Sequence, residues 1–126
     1  MSTHLSRGRR FDQPDRDFHL HVLKGGMNRL LYRSDKTDEL PTRVEILFMN
    51  VKYLSIGTRL RGPQIEHLGP LVQREDAPPW SFDYPGDLDV ISVRTRMGDG
   101  VVVAGSVSWD ETDANPYDPS SYFMMD

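Results

Sequence analysis

Hydrophobic and polar positions alternate along much of this chain, with the period of two that a half-buried strand requires. Phe18, Leu20 and Val22 alternate with His19 and His21. Val44, Ile46 and Phe48 share one phase inside the most apolar stretch, 43–56, and that phase breaks at Met49-Asn50. Asn tolerates left-handed backbone, so a turn or bulge is expected at the break. Trp80, Phe82 and Tyr84 alternate with Ser81 and Asp83 between Pro78-Pro79 and Pro85-Gly86, which predicts a short strand at a sheet edge.

The longest alternating run, 90–109, reads as a hairpin. Ile91, Val93, Thr95 and Met97 form one phase, and Val101, Val103, Gly105 and Val107 form another across Gly98-Asp99-Gly100. A three-residue loop pairs Met97 with Val101, Thr95 with Val103, Val93 with Gly105 and Ile91 with Val107, with Gly100 left-handed. That register puts apolar side chains on one face of both strands. The expected core is Phe18, Leu20, Val22, Val44, Ile46, Phe48, Val93, Val101, Val103 and Val107.

Turn formers separate these segments: Lys24-Gly25-Gly26, and the polar stretch from Ser34 to Pro41. No stretch keeps a helical period. The pattern predicts a single-domain, mainly β protein, an antiparallel β-sandwich or half-open barrel of about six to eight strands with long loops. Residues 1–16 read as a flexible arm. Residues 17–126 read as one β domain whose end, from about 110, is an irregular acidic tail.

Charge sharpens the picture. The chain has 126 residues and a net charge of −4. Residues 1–61 carry 12 Lys/Arg against 7 Asp/Glu, whereas residues 62–126 carry 3 against 12. Such asymmetry selects partners by their field. Nucleic acid is disfavoured, because the net charge is acidic and the basic residues are scattered among strands. No apolar run reaches the roughly 18 residues of a membrane span. Arg7, Arg9 and Arg10 are followed by no apolar stretch, so no secretory signal is read and a cytoplasmic setting is expected. There is no Cys, hence no disulfide, thiolate site or thiol nucleophile.

Candidate chemistry is sparse. His19 and His21 project from one face of a strand, two residues apart, and with His67 could hold a metal ion. Asp110, Glu111, Asp113 and Asp118, with Asn115, offer the hard oxygens that Ca²⁺ takes, but the glycine and terminal glutamate of a calcium loop are missing. Nucleophile elbow, phosphate loop and dinucleotide fingerprint are all absent, and no cofactor is expected. These observations favour a non-enzymatic protein-binding module, an inhibitor or immunity-type protein acting on a basic partner surface, or a homodimer. The expected contact residues are Trp80, Phe82, Tyr84, Asp110, Glu111, Asp113, Tyr122 and Phe123, aromatics for anchoring and carboxylates for steering. A metal-dependent small barrel using His19 and His21 is the alternative.

Overall fold

The computed structural model describes residues 2–24, 28–71, 88–120 and 122. The chain is mainly β, with two antiparallel sheets that are not closed into a barrel. Seven long strands build it: β3 (Asp17–Lys24), β4 (Arg29–Ser34), β5 (Arg43–Met49), β8 (Gln64–Pro70), β9 (Asp89–Thr95), β10 (Gly98–Ala104) and β11 (Ser106–Thr112). Four short ones accompany them: β1 (Thr3–His4), β2 (Arg10–Asp12), β6 (Tyr53–Leu54) and β7 (Arg59–Arg61). The sheets run β1-β11-β5-β4-β3-β7 and β2-β8-β9-β10-β6. The phase break is where the alternation places it: β5 ends at Met49, and Asn50 has a φ of 55°.

Among the described residues, all four sheet edges are short strands, and consecutive pairs of them cross between sheets, β1 to β2 on one flank and β6 to β7 on the other. Short edges leave little unpaired ladder to recruit another chain. Residues 2–16 contribute β1 and β2 to the two sheets, where a loose arm was expected. Leu5 and Phe11 are buried, and the Phe11 ring stacks on Trp109 of the opposite sheet at 4.6 Å. Such a pair contributes about 0.5–1.5 kcal/mol beyond its area burial.

Between the sheets lie Phe18, Leu30, Tyr32, Val44, Ile46, Phe48, Leu60, Ile65, Ile91, Val93, Val102 and Val107, all but fully buried. Leu20 packs half-buried against them. Most of the expected core is present, but the 90–109 hairpin differs in three ways. Residues 96 and 97 form its turn, so Gly98 pairs with Thr95, Gly100 with Val93 and Val102 with Ile91, and the Met97–Val101 pairing is absent. The strand also ends at Ala104; after Gly105 the chain crosses to the other sheet, where Val107 pairs with Phe48 of β5. Finally, Val101 and Val103 sit in a second cluster with Leu68, Leu71, Leu88 and Val90. They alternate with the core residue Val102, so this cluster lies on the outer face of the five-stranded sheet. The left-handed-side glycine is Gly98, with a φ of 133°, and not Gly100.

Candidate functional site

The site is built on the outer face of the six-stranded sheet. In β5, Val44, Ile46 and Phe48 point between the sheets, so Arg43, Glu45 and Leu47 point outward; yet all six are buried. The expected acidic tail covers them. Its first part, through Thr112, is β11, a strand paired to β5 along its whole length. The remainder lies across the sheet as a strap.

Two buried arginines hold the strap. Arg33 of β4 donates twice to Glu45 Oε2, at 3.2 and 3.1 Å, while Arg43 lies 3.6 Å from Oε1. Ser120 donates to Glu45 Oε1 at 3.1 Å. The two terminal nitrogens of Arg43 donate to backbone carbonyls, those of Asn115 at 3.1 Å, Asp118 at 2.9 Å and Pro119 at 3.0 Å, while its buried Nε has no hydrogen-bond partner among the described residues. Arg33 reaches the Pro116 carbonyl at 3.5 Å. A guanidinium has five donors, and an irregular segment with two prolines offers acceptors for them in carbonyls that no ladder uses.

The strap's ends are tied as well. Lys36 donates to the Asp113 carbonyl at 2.7 Å, and the Tyr122 hydroxyl lies 3.2 Å from both Ser108 and Ser2. Burial raises the Tyr122 phenol above its ordinary value, the bonds to Ser108 and Ser2 opposing this in part. At the strap's crest a turn is closed twice, by the Asp118 amide on the Asn115 carbonyl at 3.0 Å and the Asn115 amide on Asp118 Oδ2 at 2.8 Å. Tyr117 stands on that turn, 99% exposed. Exposed carboxylates accompany it: Glu111, Asp113 and Asp118 on its own segment, and Asp38 and Glu39 on the β4–β5 loop that Lys36 joins to the strap.

The expected contact residues are distributed unevenly over this surface. Asp113 is exposed, and so is Glu111, which accepts a 2.5 Å hydrogen bond from Thr42. Tyr122 is half-buried, docked as described. Asp110 is buried within β11, in register opposite Glu45. Trp80, Phe82, Tyr84 and Phe123 lie outside the described residues, as does the edge strand expected at 80–84. Sequence reasoning passed over Tyr117 as an anchor and missed Arg33, Arg43 and Glu45 as its support. The available signal was Arg43 and Glu45 on the off-phase of the most apolar strand.

The histidines do not converge. His19 and His21 are exposed on β3 with ring centroids 6.3 Å apart, and His21 occupies a bulge where the β3–β4 register shifts. Partial burial, followed by the field of Arg33, holds the His21 imidazole below its ordinary value. His67 is in the other sheet, buried, with Nδ1 2.6 Å from the Leu5 carbonyl and Nε2 2.5 Å from Asp89. Both ring nitrogens are already engaged by these protein oxygens. Among the described residues no three His, Asp or Glu groups are placed to hold a metal ion. Arg7 grips the same Asp89 with two bonds, at 2.7 and 2.9 Å. Burial alone would raise the Asp89 carboxyl, but the bonds from Arg7 and His67 outweigh it and keep the group below its ordinary value. This cluster clamps the N-terminal residues onto β8 and β9.

No family model, curated protein or solved structure matches this chain. Its function must be argued from the surface alone. Among the described residues no helix is long and apolar enough to cross a membrane.

Proposed function

We propose that this chain is a non-catalytic protein-binding module that engages a basic surface of a partner protein through the strap, with Tyr117 as anchor. The supporting observation is the full exposure of Tyr117 on a turn that two buried arginines brace from beneath. An aromatic ring held rigidly in water is an unused contact; at interfaces such residues carry much of the energy. Its fixed backbone spares the ordering cost that a mobile tail would meet on binding. Glu111, Asp113 and Asp118 give the field that steers a cationic partner and excludes an acidic one. An inhibitor or immunity-type protein capping a basic enzyme is the concrete form of this reading, and a cytoplasmic setting fits a chain without cysteine.

Truncation within the acidic end is a poor test, because it would remove part of β11 from the middle of a sheet. Point substitution avoids this. Captured from an extract of the source cells, a partner with a basic contact surface is expected on the wild-type chain. Tyr117→Ala should weaken purified complex formation by about 2 kcal/mol or more, the hot-spot scale, at unchanged melting temperature. Asp113→Lys with Asp118→Lys should slow association and blunt its salt dependence. Binding that is undiminished in both variants would contradict the proposal.

A further inference from the structure

On the flank where the chain passes from β1 to β2, the inward phases of β8 and β9 end on a charged pair. Ile65 and His67 share one phase of β8, and Val93, Ile91 and Asp89 share one phase of β9. His67 and Asp89 are both buried. The two ring nitrogens meet oxygens of different segments, Nδ1 the Leu5 carbonyl at 2.6 Å and Nε2 the Asp89 carboxyl at 2.5 Å. A carbonyl oxygen only accepts, and so does an ionised carboxylate. Asp89 is kept in that form: burial pushes it upward, but the bonds from Arg7 and His67 prevail. A neutral imidazole has a single N–H and can serve only one of the two oxygens. Its other nitrogen would turn a lone pair toward the second oxygen. The arrangement is complete only when the ring carries both protons. Among the described residues, three other charged groups lie around it. Arg7 acts through Asp89, while Glu66 of β8 lies on the opposite phase, in register with Arg10 of β2.

We infer that His67 is a proton-gated latch: charged, it holds residues 5–9 against β8 and β9, and neutral, it releases the Leu5 carbonyl. The carboxylate keeps the remaining proton, because a hydrogen bond to an ionised acceptor is the stronger of the two. The latch is therefore shut on the acid side of the ring's titration and open on the alkaline side. Asp89 stays ionised throughout that range, so the ring is the group that switches. What the latch holds is a short zipper. The Leu5 amide donates to the Val107 carbonyl at 2.9 Å, the Gly8 amide to the His67 carbonyl at 2.7 Å and the His67 amide to the Arg9 carbonyl at 3.0 Å. Ahead of it, β1 covers the edge of β11, with Thr3 opposite Trp109. Ser2 and Ser108 share the Tyr122 hydroxyl. Release at Leu5 thus loosens an edge strand and one tie of the strap, whether or not the strap is a recognition element.

Two readouts on the full chain test it together, from about pH 5 to about pH 9, a span that brackets ordinary histidine titration. Long-range ¹⁵N–¹H spectra report the protonation of each His67 ring nitrogen, and amide exchange, corrected for base catalysis, reports the zipper. Both nitrogens should be protonated at the acid end. Loss of one proton should coincide with a roughly tenfold or larger rise in exchange at Leu5 and Gly8, the scale of one charge-assisted hydrogen bond. Lys52 and Ser55, whose amides are held in and beside β6, should show no such step. His67→Gln has no ring to titrate, so its Leu5 and Gly8 amides should exchange fast and without a step across the range. If that variant does not fold, the wild-type titration decides by itself. Three results would overturn the latch: a ring already neutral at the acid end with the zipper intact, a ring that keeps both protons to the alkaline end, or proton loss without faster exchange at Leu5 and Gly8.

Discussion

Replacing Glu45 with alanine should destabilise the chain by about 3–5 kcal/mol, the cost of removing one partner from a buried ionic cluster. Glu45 is 1% exposed, and it faces Arg33 at 3% and Arg43 at 1%. Without its carboxylate, two buried guanidiniums lose the anion that they share. They cannot lose their protons to escape the penalty. The effect should appear as a lower urea midpoint with an unchanged slope, the signature of lost stability rather than altered compactness. Glu45→Gln should cost less, because it keeps an acceptor for Arg33 and Ser120. A loss below about 1 kcal/mol for the alanine variant would place the cluster among solvated surface pairs and remove the basis for a braced strap.

Gly100→Ala should be nearly as damaging for an unrelated reason. A Cβ at this position would lie 1.9 Å from the Ser55 carbonyl oxygen and 2.9 Å from the Ile56 Cγ2. The obstruction is backbone, so a rotamer change cannot relieve it; β6 must leave β10. The cost should reach or exceed the top of the roughly 1–3 kcal/mol range of core over-packing. Gly98→Ala is the control. Nothing lies within 4 Å of its added carbon, but its φ of 133° is unfavourable for any side chain. It should cost about 1–3 kcal/mol through backbone strain alone, leaving β6 paired. Thermal or urea unfolding separates the amounts. Amide exchange at Lys52 and Ser55, whose N–H groups bond to Val103 and Val101, reports whether β6 has detached. Equal exchange in the two variants would refute the steric account.

The parts of the fold legible in the sequence were those whose outer face carries polar side chains, His19 and His21 in β3 and Arg43 and Glu45 in β5. In β3 and β5 the alternation around Phe18 and Ile46 gives the inward phase, and Asn50 marks the end of β5. The hairpin register was not legible. Val101 and Val103 pack on the outer face of the five-stranded sheet while Val102 and Ala104 pack within, so apolar residues occupy both phases. A period of two cannot choose between registers when both faces are covered. Gly105, read as a strand position, is where the chain changes sheets, and only the partner strand β5 reveals that.

The site was less legible still, because its members are distant in sequence. Glu45 meets Arg33 across twelve residues and Ser120 across 75. Taken alone, Asp110, Glu111 and Asp113 look like a solvated run, as most such runs are. Their true surroundings depend on β11 pairing with β5 from Ser106 to Thr112. The arginines that hold the strap were likewise ordinary strand residues until the strap was placed over them. Tyr117 acquires meaning only once its support is visible.

Backbone ¹⁵N relaxation of residues 113–120 tests the central claim most directly, since a braced strap and a free acidic tail differ on the nanosecond timescale. Order parameters near 0.85, equal to those of β5, are predicted for the non-proline residues of this segment, Tyr117 included. Values below about 0.6 across the segment, with β5 remaining rigid, would contradict it.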